Sequence, residues 1–135
     1  MKHTVPLVPE IPVPELSILS FLQLAVGLGL LNVWLLRARS ATDYRGGESK
    51  TLREEFGAYG LPDAAFYAVG ALKILFGSVL VAGLWFDLPV RAAAGTVALL
   101  MVGALVMHMK VSDPPKRSVP AALMLLMSVG IVLLA

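Results

Sequence analysis

Apolar residues run almost unbroken through four stretches of this chain, and polar residues collect in the gaps between them. The first stretch covers about 15–36 and, past Glu15 at its entry, is apolar except for Ser17, Ser20, Gln23 and Asn32. The others cover about 62–86, 89–111 and 118–135. About 20 consecutive apolar residues carry a helix across a bilayer. At 1.5 Å per residue even the fourth and shortest stretch reaches about 27 Å. The connections Asp87-Leu88-Pro89 and 112–117 are short, so the helices they join run antiparallel. The pattern predicts an all-α fold, an integral membrane antiparallel four-helix bundle over 15–135.

Before the first span, residues 1–14 set Pro6, Pro9, Pro12 and Pro14 among Val, Leu and Ile. Proline fixes φ and removes a donor, so this stretch reads as an extended, polyproline-like arm. A cleaved signal would instead open with a short basic region and close on small residues, which the stretch does not do.

One long polar segment, 38–60, interrupts the apolar pattern. Tyr44-Arg45-Gly46-Gly47 reads as a turn. Thr51 followed three residues later by Glu54 is a capping box. Leu52, Phe56 and Tyr59 then share one helical face at i, i+4 and i+7, while Arg53, Glu54 and Glu55 point elsewhere. These residues predict a short amphipathic cytoplasmic helix lying on the membrane surface or the end of the bundle. Gly60 ends it, and Pro62 opens the second span where proline is tolerated. Trp34 falls at the end of the first span, where an aromatic belt residue belongs.

Composition supports the membrane reading. Apolar residues make up 58% of the chain and charged residues 15%, against roughly 45–50% and about 25% in soluble domains. The net charge is only +2 and the basic residues flank apolar spans, so nucleic acid is not an expected partner. Those residues instead set topology. Arg37, Arg39, Arg45, Lys50, Arg53, Lys110, Lys116 and Arg117 lie in two loops, against Lys2 and Arg91 on the other side. Basic loops stay inside, which predicts cytoplasmic polar loops and both termini outside, in a bacterial inner membrane. There is no cysteine. Disulfides, thiol catalysis and thiolate metal sites are therefore excluded within this chain.

The candidate chemistry begins with Lys73. It lies about 11 residues into its span, or roughly 16 Å, and an intramembrane lysine is costly unless something uses it. Val26, Leu100 and Ser128 lie at similar depth, and none is a carboxylate. The lysine can snorkel without further role, carry no charge in its desolvated setting, pair with polar atoms such as Gln23 or Ser128, or meet an anionic or carbonyl-bearing ligand or a partner subunit. Gly70 and Gly77 flank it on nearly the same face, so that face meets other helices. His108, Asn32 and Tyr59 fall near one end of the bundle, where they can meet. They form a second candidate for ligand binding or proton handling. One histidine and one asparagine make no metal set, since His3 belongs to the other side. Met101, Met107, Met109, Met124 and Met127 read as adaptable packing. Gly46-Gly47 lacks the spacing of a phosphate loop. No nucleophile, base and orienting group assemble, so no enzyme is expected.

Tyr44-Arg45-Gly46-Gly47, the run from Glu55 to Pro62, Val69-Gly70-Ala71-Leu72-Lys73, and Met101-Val102-Gly103-Ala104 with His108 and Lys110 resemble the DoxX-like family of small four-helix membrane proteins. The resemblance runs from Leu16 through nearly all of the chain. It implies a four-helix fold; relatives include assembly helpers and partners of membrane oxidoreductase complexes, and many have no assigned activity. The family takes its name from a subunit associated with a thiosulfate:quinone oxidoreductase. It carries no catalytic residue onto this chain.

Three functional expectations follow. The first is a non-enzymatic partner, anchor or assembly subunit of a membrane-associated complex, in contact with the lipid bilayer and with other membrane subunits or further copies of itself. The second is a redox-linked subunit that binds a quinone between spans, with Lys73 or His108 donating to the quinone oxygen. The third is a small-solute permeation protein that lines a path as an oligomer. Only the second brings in a cofactor.

Overall fold

The computed structural model describes residues 15–135, so the proline-rich arm and His3 lie outside the described residues. The described chain forms five α-helices: α1 (Ile18–Leu31), α2 (Leu52–Ala58), α3 (Asp63–Ala82), α4 (Val90–Lys110) and α5 (Pro115–Leu134). A π-helical turn, Asn32–Leu36, continues α1. With that turn included, four helices are long and apolar enough to cross a membrane. α1 packs against α3 and α5, and α4 packs against the same two, closing a four-cornered bundle.

Local signals set the ends of these helices. Ser17 caps α1 by accepting from the Ser20 N–H at 3.1 Å, so the helix starts later than residue 15. Pro115 stands in the first turn of α5, where its missing N–H is not needed. The fourth span thus starts three residues before the expected Ser118. The second span closes as helix at Ala82, and the chain turns through Gly83–Phe86 before Pro89 leads into α4. The Thr51 cap on α2 is present, its hydroxyl accepting from Glu54 N–H at 3.1 Å. Glu54 reaches back one residue further than in a capping box and accepts from Lys50 N–H at 2.9 Å.

Two apolar clusters fill the bundle. Val26, Leu30, Leu80, Ala93, Ala94, Val97, Met101 and Ile131 form the larger one between the long helices. Close backbone approach supports it. A Cβ on Gly27 would stand 2.6 Å from a Val81 methyl and 2.8 Å from the Gly77 carbonyl oxygen, so α1 and α3 approach closely there. The second cluster joins Trp34, Leu52 and Phe56 and seats α2 on the end of the bundle. Trp34 is therefore not a belt residue on a lipid face. It is 8% exposed and packs between Phe56 and Phe66. Outward, Phe21, Leu99, Leu126 and Leu133 are all exposed, as a bundle solvated by acyl chains requires.

Candidate functional site

Both polar connections lie at the same end of the bundle and are tied together there. Asp113, after α4, accepts from the Gly47 N–H at 2.9 Å and from Arg117 at 2.8 Å. Arg117 also donates to the Gly47 carbonyl. Lys110 donates to the Tyr59 carbonyl at 2.8 Å, satisfying the C-terminal end of α2 with a cation. Gly46 allows the loop to close, because a Cβ there would stand 2.4 Å from the Tyr59 ring.

Under this cap lies a cavity of about 250 Å³. Leu30, Met101 and Met124 give it apolar walls, and Trp34 an aromatic one. Lys73, Glu55, His108, Arg45 and Asn32 supply polar groups. The cavity draws on α1 and its π-helical turn, α2, α3, α4, α5 and the loop between the first two helices.

Lys73 reaches this cavity for a geometric reason. Helical side chains lean toward the N-terminus of their own helix, and α3 begins at the polar end. A lysine near the middle of α3 thus projects its ammonium toward the cap. The nitrogen lies 5.4 Å from the centre of the Trp34 ring, within the range of a cation–π contact. Gly70 makes room for that ring, since a Cβ there would stand 2.6 Å from it. Lys73 is 9% exposed. Among the described residues it has no hydrogen-bond acceptor and no ion-pair partner. Neither proposed neighbour pairs with it. Gln23 donates across to the Leu80 carbonyl at 3.0 Å, filling an orphan acceptor near the end of α3. Among the described residues the fully buried Ser128 hydroxyl has no hydrogen-bond partner.

Glu55 overturns its expected position. It is buried at 8% exposure, on the same face of α2 as Leu52 and Phe56. The Tyr59 hydroxyl donates to its Oε1 at 2.6 Å, and Arg45 stands 3.5 Å from its Oε2. Arg45 is itself held by donating to the Arg37 carbonyl at 2.6 Å and the Ser40 carbonyl at 3.1 Å. Burial, then the hydrogen bond to Glu55, raises the Tyr59 phenol above its ordinary value, so this hydroxyl stays protonated. His108 completes the group. Its Nε2 lies 3.5 Å from the Tyr59 hydroxyl, and its Nδ1 lies 2.7 Å from Asp113 Oδ2. Burial pushes the Asp113 carboxyl up, but hydrogen bonds from His108, Gly47 and Arg117 outweigh it and hold the group below the usual carboxylate range.

Of the five residues singled out from sequence, Lys73, His108 and Asn32 border one cavity. Tyr59 stands behind it, joined to Glu55 and His108, and Gln23 belongs to the helix packing elsewhere. Asn32 and His108 share the cavity without a hydrogen bond between them. Glu55, Arg45, Trp34 and Asp113 were not singled out. Glu55 was within reach, because it precedes Tyr59 by one turn on the face that Leu52 starts. Arg45 looked like one of several basic loop residues, and only the folded loop buries it. No set of three or more His, Cys, Asp or Glu side chains able to hold a metal occurs among the described residues.

No curated protein and no solved structure matches the chain. The DoxX-like family matches over residues 38–130. That range holds Arg45, Glu55, Tyr59, Lys73, His108 and Asp113, and leaves Asn32 and Trp34 outside it. With four helices able to span a bilayer and a match across most of its length, the chain belongs to the DoxX-like family.

Proposed function

We propose that this protein is a non-enzymatic subunit of a membrane-associated complex that holds the carbonyl-bearing head of a quinone in the cavity beneath its cap. The observation that carries the reading is the Lys73 ammonium, buried at the cavity wall with no hydrogen-bond or ion partner among the described residues. A buried cation without a partner is expensive. A carbonyl oxygen in the cavity would accept from it and offset part of that cost. Trp34 and the apolar walls suit a flat ring, and Arg45 and Asn32 offer further donors. Glu55 and Arg45 already engage each other, and Arg37 lines the cavity from its exposed side, so among the described residues Lys73 is the buried lining cation without an ion-pair partner.

The reading places the protein in a bacterial inner membrane with the cap on the cytoplasmic side. It assigns no bond-making step to the chain. His108 lines the wall, and Tyr59 holds Glu55 from behind it.

Trp34 reports on the cavity directly. A Trp85→Phe variant leaves it as the sole tryptophan, since the chain has two. Titrating a short-chain benzoquinone into this variant should quench Trp34 saturably, and adding Lys73→Met should weaken the half-saturation point at least tenfold. Quenching that rises linearly in both proteins would mean collisions without a site and would remove the reading.

A further inference from the structure

The cavity has a mouth, and its position says how a ligand arrives. Most of the lining is buried or half-buried; Arg37 and Tyr44 are exposed at the polar cap, and Asn32 and Pro120 are exposed within the spans. Asn32 belongs to the span Ile18–Leu36 and Pro120 to the span Pro115–Leu134. Each lies four or five residues inside its span, about 7 Å below the polar end. The seam between α1 and α5 is shut further down, where Met124 presses against Gly29 so closely that a Cβ on the glycine would stand 2.3 Å from the methionine.

Both edges of the mouth depart from regular α-helix. The Asn32 edge is the π-helical turn, whose wider ladder admits an extra residue. The Pro120 edge lacks one backbone N–H, so the i−4 carbonyl at Lys116 has no helical partner there. Both departures fall about 7 Å inside the polar ends of their spans, on the cap side of the Gly29–Met124 contact.

We infer that the ligand is a single-tailed amphiphile that enters sideways from the bilayer between the π-helical turn and α5, leaving its tail across the threshold formed by Asn32 and Pro120. This rests on the cavity being a ligand site. It adds the route, the tail and the residues that touch the tail. A compact head reaches Lys73, while the first methylenes pass Ala121 and Val33 to rejoin the acyl chains. A water-soluble molecule of the same head has no reason to use this mouth.

The test uses the full chain in lipid nanodiscs and a benzoquinone carrying a decyl tail, with a photoreactive diazirine on the first tail carbon. After irradiation, the labelled peptides are mapped. Labels on Asn32, Val33, Pro120 or Ala121, suppressed by excess unlabelled decyl quinone, are expected. Saturable labelling confined to Thr42, Asp43 or Tyr44 would place the tail at the aqueous cap and overturn the route. A second arm measures equilibrium quenching of Trp34 by the decyl quinone and by the same ring without a tail. Ala121→Leu, which narrows the mouth, should weaken the tailed probe at least fivefold and leave the tailless ring unchanged. Equal weakening of both, or of neither, would overturn the tail assignment. If neither probe binds the unsubstituted protein, the cavity reading itself fails, which is a different outcome.

Discussion

Lys73 holds its ammonium nitrogen 5.4 Å from the centre of the Trp34 ring, and the two residues come from separate helical segments facing one cavity. The pair exists because Gly70 leaves space for the indole one turn before the lysine. Gly70→Ala should therefore push the ring away and destabilise the protein by about 1–3 kcal/mol, as overpacking does. Thermal unfolding in detergent reads the stability, and a red shift of Trp34 emission reads the displacement. An alanine variant with unchanged emission and melting would mean that the ring has room to yield.

Tyr59 and Glu55 support the cap from behind the cavity. Tyr59→Phe removes the hydroxyl that donates to Glu55 at 2.6 Å and leaves a buried carboxylate oxygen short of a donor. The expected loss is about 1–3 kcal/mol. Hydrogen exchange across 51–60 should rise in the variant while the exchange of α4 stays the same. Uniform protection in both proteins would contradict this coupling.

Asp113 makes the joint between the two polar connections pH-dependent. Its carboxyl is held below the usual range when folded. A group with a depressed folded value stabilises fully above its unfolded pKa of about 4 and loses that contribution as pH falls through the folded value. Asp113→Asn should melt below the unsubstituted protein at pH 6, and the gap should shrink as pH drops from about 4 toward 2. A gap constant over that range would show that the charge is not what holds the loops.

Eight basic residues lie in the two polar connections, and among the described residues Arg91 is the one at the other end of the bundle. The cap should accordingly face the cytoplasm and Ala135 the outside. A single cysteine introduced at Ser49 should resist an impermeant thiol reagent in intact cells, and one at Ala135 should react. The reverse pattern would invert the topology.

The bundle was legible because its signals are local. Apolar run length, the Thr51 cap and the Leu52/Phe56/Tyr59 spacing each act within a few residues. Lys73 stood out because charge inside an apolar run is rare. What surrounds Lys73 was less legible. Trp34 at a span end carries the same local signal whether it faces lipid or folds under α2. The difference comes from α2 packing over it, through Phe56. Arg45 is buried only by the folded loop, through Arg37, Ser40 and Glu55, while Asp113 meets Gly47 and Lys110 meets Tyr59 across long sequence separations. No residue-type spacing encodes such contacts. The cavity follows from them, and from a π-helical turn that the apolar run at 32–36 does not distinguish from ordinary helix.

The central claim is that Lys73 is held unpartnered for a ligand. Purification from native membranes in mild detergent, followed by solvent extraction and quantitation of quinone per protein chain, tests it most directly. Lys73→Met keeps side-chain length and removes the charge, and replacing a buried charge with an apolar group is often neutral or stabilising. The account predicts quinone with the unsubstituted protein, its loss from Lys73→Met, and a melting temperature in the quinone-free variant no lower than that of the unsubstituted protein stripped of quinone. Equal quinone content in the two proteins, or none in either, would contradict it.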